Sequence, residues 1–362
     1  MALEQKLMYR REHALFVIGA VFSSLAWLAV VVSLVGLVYA LFIGLFVLAA
    51  HALFLAYVRG NGLRVSESQL PELYARVQAA AHKLGMAQVP DIYVLQSGGI
   101  LNAFATKLLS RRYVILYSDL VDNCEDPRQL DFVIAHELAH HAAGHVARLL
   151  FLLPFRMVPL LGAAYSRACE YTCDRAGLFV VEDPEAAMRG LVVLAAGGKL
   201  AARANLGAFA TQRLETGGFW MAVLELAASH PFLCKRVAAL RAAALPDARV
   251  QPVRRNPFAW PLAPVLGGLA GGGSAGGAMV AVAIVGILAA IAIPNFLKFQ
   301  EKARAARGAV EASATDQAPG SAVVQAGLTQ QQLETLQWVA AVRRQQTEAR
   351  EREAPQQQAE QR

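Results

Sequence analysis

The run Val133-Ile-Ala-His-Glu-Leu-Ala-His-His141 sets two imidazoles four residues apart, with a carboxylate directly after the first. On a helix that spacing puts His136 and His140 on one face. Two imidazole nitrogens so placed can reach one zinc ion, at about 2.0–2.1 Å each. Glu137, beside the first histidine, can take a proton from a water whose acidity the metal raises. A metal-activated water with a carboxylate base is the chemistry of peptide-bond hydrolysis. His136 and His140 are therefore the candidate metal ligands and Glu137 the candidate catalytic base. The residues between and around them are small or apolar, as a buried helix requires.

Two further histidines crowd the motif. His141 points about 100° away from the metal face on helix geometry. His145 is one residue out of register with a pattern that would need Gly at 143 and His at 146, where Ala143 and Val146 stand. The third ligand is expected to be an acid on a later helix, and Glu170 in Ser166-Arg-Ala-Cys-Glu-Tyr-Thr-Cys-Asp174 is the best candidate. Asp174, one turn on, can accept a hydrogen bond from the second nitrogen of a ligating histidine. Two carboxylates at that spacing repel, and a nearby cation would explain the pair. Cys173 is the rival ligand, since thiolates bind zinc strongly. A filled His₂-Glu-Cys shell, however, would leave no position open for water and would suit a structural site.

These residues need a scaffold. Pro127 opens a helix expected to run to about Arg148 and carry the histidines, and a later helix over Tyr165 to Val180 carries Glu170. Before them, Pro71 to Leu84 has apolar residues at helical spacing and is closed by Gly85. Asp91 to Leu95 and Arg112 to Tyr117 read as short strands, with Asn102 to Thr106 as a third between them. Helix, small sheet, then helices is an α+β order. The expected domain is mainly helical with a small β-sheet and occupies residues 59–250.

Outside it the chain is apolar. Of 362 residues, 56% are hydrophobic and 17% charged, against about 25% charged in an ordinary soluble chain. After a basic N-terminus (1–13), residues 14–58 form an apolar run too long for one crossing, and they read as two transmembrane helices turning near Val35-Gly36. Lys6, Arg10 and Arg11 before the pair, and Arg59 and Arg64 after it, put both ends on the cytoplasmic side. The expectation is a multi-pass protein of the cell (inner) membrane with the lipid bilayer as a partner and its catalytic domain facing the cytoplasm. His51, near the end of the second span, is assigned no role. Leu149 to Tyr165 is apolar but broken by Pro154, Arg156 and Pro159, and reads as a buried or membrane-grazing hairpin. The net charge is +7, but the basic residues are dispersed pairs without a stripe. They mark membrane flanks, and nucleic acid is excluded as a partner. Four cysteines without a CxxC pair exclude a zinc ribbon.

Beyond the domain, 251–277 reads as a Pro/Gly-rich linker, 278–297 as a third transmembrane helix, and 298–362 as a flexible Ala/Gln-rich tail. The segment Ile284-Val-Gly-Ile-Leu-Ala-Ala-Ile-Ala-Ile-Pro-Asn-Phe-Leu-Lys298 resembles the N-terminal helix of type IV pilins. The processing site and the membrane-embedded Glu of pilins are absent, with Gly277 where that Glu would fall.

Over 66–245 the chain resembles the HtpX-like and CAAX-prenyl-protease-type zinc metallopeptidases, gluzincins of metallopeptidase family forty-eight. Four motifs carry the resemblance: Leu101-Asn-Ala-Phe-Ala-Thr106; His136-Glu-Leu-Ala-His140 with Gly144-His145; Glu170-Tyr-Thr-Cys-Asp174; and His230-Pro with Arg236-Val-Ala-Ala-Leu240. It implies one zinc ion held by His136, His140 and Glu170, with Glu137 as base and Asp174 supporting a ligand. It also implies His230 and Arg236 near the catalytic centre, and Asn102, Ala103, Phe104 and Ala105 as an edge strand that holds an extended substrate. The expected function is a membrane-anchored zinc endopeptidase acting on membrane or misfolded proteins. The alternative is a non-catalytic membrane scaffold associated with pilus-type assemblies.

Overall fold

The N-terminal apolar run folds as α1 (Arg10–Val32) and α2 (Leu34–Asn61) in a computed structural model, which describes residues 5–244, 252–269 and 298–305. Both helices are long and apolar enough to cross a membrane. The break falls at Ser33, earlier than the expected Val35-Gly36. Ser33 leaves helical geometry there, and its hydroxyl caps α2 by accepting from the Gly36 amide at 3.0 Å.

The sheet that follows has four strands, β1 (Leu63–Arg64), β2 (Asp91–Leu95), β3 (Ala103–Leu108) and β4 (Arg111–Tyr117), in the order β1-β2-β4-β3. β2 runs parallel to β4, and the short β3–β4 connection makes that pair antiparallel. Alternation along β4 sorts its side chains. Val114 and Leu116 face Ile134 and Leu138 of the histidine helix, while Tyr113 and Ile115 face Leu55 and Val58 at the end of α2. The sheet is thus packed between the histidine helix and the foot of the apolar hairpin.

Helices α3 (Pro71–Lys83) and α4 (Ser118–Asn123) flank the sheet. α5 (Pro127–Ala142) follows, with Pro127 at its first turn and Asp126 accepting from the Arg128 amide at 2.9 Å. It ends at Ala142, not near Arg148 as expected. Gly144 adopts a left-handed φ of +79° and turns the chain. A loop with the single-turn α6 (Leu153–Arg156) leads to α7 (Leu161–Val181), and α8 (Pro184–Ala196) packs behind. Phe132 of α5 is clamped between two glycines. A Cβ on Gly177 would lie 2.7 Å from its Cδ2, and one on Gly190 would lie 3.1 Å from its Cδ1. Small residues there let α7 and α8 close on α5.

Short helices α9 (Gly198–Ala201) and α10 (Leu206–Thr211) and a 3₁₀ turn (Gln212–Gly217) lead to α11 (Phe219–Ala227) and α12 (Leu233–Ala244). The stretch 251–277, expected to be a linker, contains a further helix, α13 (Ala259–Leu269). Ala259 and Ala263, one turn apart and fully buried, seat it on Ala222, Val223 and Leu226 of α11. Met1–Val282 form one compact unit and Ala283–Arg362 a second. Of the second only 298–305 is described, and it is helical. The expected span at 278–297 and most of the tail lie outside the described residues.

Candidate metal centre

α5 and α7 bring the candidate ligands together. His136 and His140 lie one turn apart with ring centroids 5.1 Å from each other. Glu170 reaches across from α7, its Oε2 3.5 Å from His136 Nε2 and its Oε1 3.4 Å from His140 Nε2. In a tetrahedral site the donors are separated by 1.63 times the metal–donor distance, or about 3.3–3.4 Å for zinc. Each imidazole has one oxygen of the carboxylate close to that spacing, Oε2 for His136 and Oε1 for His140, so the donor set and its separations suit zinc.

Cys173 is the competing donor, its thiol within 4.8 Å of both imidazole donors. The two groups differ in charge state. Burial raises the Cys173 thiol well above its ordinary pKa, and neighbouring Glu170 raises it further. Burial would also raise Glu170, but the Arg236 guanidinium, with His136 and His140, holds its carboxyl well below the usual range. The carboxylate is the ready donor.

Behind the ligands lies an ion cluster. Asp174 Oδ1 is 3.1 Å from His136 Nδ1, which leaves Nε2 directed at Glu170. Arg236, from α12, grips Asp174 with two nitrogens, Nε to Oδ2 at 2.9 Å and Nη2 to Oδ1 at 2.6 Å. Its Nη1 is 3.2 Å from Glu170 Oε2. Burial would lower the His136 pKa, yet Asp174 and Glu170 push it up to about 9. With its nitrogens turned on these two carboxylates, Arg236 positions them. His230 sits at the mouth, its side chain 66% exposed and its Nε2 3.5 Å from Glu170 Oε1.

Glu137 is buried. Among the described residues its carboxylate has no hydrogen-bond partner, so it is open to a proton donor. His141 lies off the metal face, as expected, and donates from Nε2 to the Tyr113 carbonyl at 3.0 Å. Burial pushes its pKa down to about 4. It ties α5 to β4 as a neutral imidazole.

His145 has a place that sequence reasoning missed. Its Nδ1 is 3.2 Å from His140 Nδ1, and its Nε2 is 2.9 Å from Glu12 Oε1. Thr172 donates to the other oxygen of Glu12. If His140 presents Nε2 to a metal, its Nδ1 carries the proton. His145 then accepts at Nδ1 and donates from Nε2 to Glu12, so one tautomer chain links the site to α1. The only sequence signal for this was an acid in the first turn of an apolar span. Cys169 approaches the same group, but the 2.9 Å contact is a hydrogen bond, shorter than the spacing of two donors around an ion.

Asn102 caps the start of β3, its Oδ1 accepting from the Ala103 amide at 2.9 Å. β3 pairs with β4 on one side only, as Phe104 with Ile115 and Ala105 with Val114, so its other side is an edge. Ala103 and Ala105 pack into the core shared with α5, while Phe104 packs on Phe54 and Tyr117. His51 of α2 meets Thr106 Oγ1 at 3.2 Å.

Residues 67–161 and 149–244 match the model of Peptidase family M48. The chain is 31% identical over 170 residues to the plastoglobule-localized metallopeptidase 48, chloroplastic, of Arabidopsis thaliana. That match covers 42% of this chain and 48% of the relative, so the chain spans about half the length of the curated relative. No solved structure matches.

Proposed function

On the premise that residues 67–244 carry a Peptidase family M48 domain, we propose that the protein is a zinc-dependent endopeptidase held in the membrane by α1 and α2. One observation carries the reading: the Glu170 carboxylate stands 3.4–3.5 Å from the Nε2 atoms of both His136 and His140, with Glu137 beside them on α5. His136, His140 and Glu170 would hold a zinc ion, which would supply Lewis acidity toward a peptide carbonyl and water. Glu137 removes the proton of the attacking water and delivers it to the departing amine nitrogen. Asp174 fixes the His136 ring through Nδ1, and Arg236 fixes Asp174. His230, at the mouth, can donate to the developing oxyanion. The open edge of β3 adds an extended substrate segment as a further strand beside α5.

The substrates proposed are membrane or misfolded proteins, in quality control or processing. The catalytic domain is placed on the cytoplasmic side of the inner membrane by Lys6, Arg10, Arg11, Arg59 and Arg64. The test is Glu137→Gln in the full chain. Zinc content should match wild type, while hydrolysis of an unfolded protein substrate falls by about 10²-fold or more. Full activity in this variant would remove Glu137 from the mechanism.

A further inference from the structure

The connection between the two metal-site helices is bound along the outer turns of α1. Gly19, Ser23 and Trp27 recur every fourth residue on one face of that helix, and all three meet the connection. A Cβ at Gly19 would lie 2.5 Å from Phe155 Cδ1. The Phe155 amide donates to Ser23 Oγ at 3.3 Å, and Trp27 Nε1 donates to the Phe151 carbonyl at 2.9 Å. Counted back from the turn at Ser33, the residues of α2 level with these three are 39–47. Residues 41–50 of α2 are all exposed, and α2 is not buried against the domain until Leu55 and Val58. The connection therefore lies level with the most exposed apolar part of the hairpin.

Its sequence suits that level. From 149 to 161 it reads Leu-Leu-Phe-Leu-Leu-Pro-Phe-Arg-Met-Val-Pro-Leu-Leu, with one charge. Leu149, Leu150, Phe151, Leu153 and Leu161 are exposed, a contiguous apolar surface that water would not favour. Irregular backbone at membrane depth needs protein partners for its polar groups. The amides of Leu153, Arg156, Met157 and Val158 are bonded within the segment and that of Leu152 to the Arg148 carbonyl just before it, and Ser23 and Trp27 supply two partners more. Arg156 is half-buried, so its charge is partly shielded.

We propose that residues 149–161 form a re-entrant hairpin immersed among lipid acyl chains beside α1. The inference rests on the reading of α1 and α2 as membrane spans. Because the hairpin joins the helix of His140 to the helix of Glu170, it would hold the catalytic face next to the bilayer surface.

The full chain is reconstituted in phosphatidylcholine vesicles with or without nitroxide-bearing acyl chains. An environment-sensitive fluorophore is attached at Leu150→Cys, at Phe42→Cys on α2, and at Leu214→Cys on the 3₁₀ turn. Each is made with Cys124→Ser, which removes the half-buried native thiol. Quenching at 150 should equal that at 42 and exceed that at 214 several-fold. Leu153→Cys repeats the measurement if Leu150→Cys does not fold. Quenching at 42 with none at 150 or 153 would put the hairpin in water and overturn the proposal. No quenching at 42 would overturn the spanning reading itself, and the hairpin with it.

Discussion

Gly177→Ala adds a single methyl group far from any donor atom, and it should weaken the metal site. The new Cβ would stand 2.7 and 2.8 Å from Cδ2 and Cε2 of Phe132 and 3.1 Å from its carbonyl oxygen. Ordinary carbon contacts begin near 3.5 Å, so about 0.7 Å of relief is needed. The ring's other edge faces Gly190, where a Cβ would lie 3.1 Å from its Cδ1, so its retreat is limited to the narrow space that this glycine leaves. The rest of the relief must come from separation of α7 and α5. Gly177 lies two turns after Glu170, on the same face of α7. A shift of several tenths of an ångström would carry through to the 3.4–3.5 Å donor separations, where zinc tolerates about 0.2 Å. Overpacking costs about 1–3 kcal/mol, and alanine returns about 1 kcal/mol of helix propensity. The net destabilisation of the metal-free protein is about 0–2 kcal/mol, a fall in melting temperature of at most about 8 °C. Zinc affinity, measured by competition with a chromophoric chelator, should fall about tenfold or more, as when support for a ligand is lost. Wild-type zinc affinity with an unchanged or raised melting temperature would refute the claim that the α5–α7 spacing sets the donor geometry.

Glu170→Ala should lose tightly bound zinc and all proteolysis, whereas Cys173→Ala should keep both; the opposite pattern in elemental analysis would make the thiol the ligand. Glu12→Gln removes the acceptor charge at the end of the His145 chain and should lower zinc affinity by about tenfold; equal chelator titrations for variant and wild type would show that α1 does not tune the site. The pKa of His136 near 9 has two opposed consequences. Zinc must displace its proton below that pH, so calorimetric affinity should weaken by about tenfold per pH unit on descending from pH 9. In the metal-free protein the raised folded pKa adds stability that is full below the unfolded value of 6.5 and lost as pH rises through 9. Replacing Asp174 by Asn should flatten both trends, and trends of unchanged slope would remove that carboxylate as their cause.

The metal motif was legible because its spacing is local. His136, Glu137 and His140 need only a helix to converge, and Pro127 and Asp126 announce one. The sheet was legible for the same reason, since short β-branched and aromatic runs flank tight turns. What failed depended on contacts distant in sequence. The end of α5 was missed because Gly144 was read as helix interior, while its φ is set by how the chain must leave toward α6. α13 was missed because Pro and Gly suggested a linker, while two buried alanines packing on α11 override that composition. Glu12 was invisible because nothing local ties it to a histidine 133 positions away. Arg236 was expected near the site, steadying either an oxyanion or the residues behind the ligands, and it lies against Asp174 and Glu170.

Glu12 makes the first apolar helix part of the surroundings of the candidate metal centre. The acid lies in the first turn of α1, so a fragment trimmed at residue 59 for solubility would lose more than its tether. His145 would be left buried without its acceptor, and the ring of His140 without a fixed neighbour. The same geometry orders assembly in time. Glu12 is synthesised before His145 and Thr172, and both must be made and folded before they can meet it. A chain whose α1 has not yet settled against the domain has an unfinished centre, so completion of the site waits on the docking of that helix.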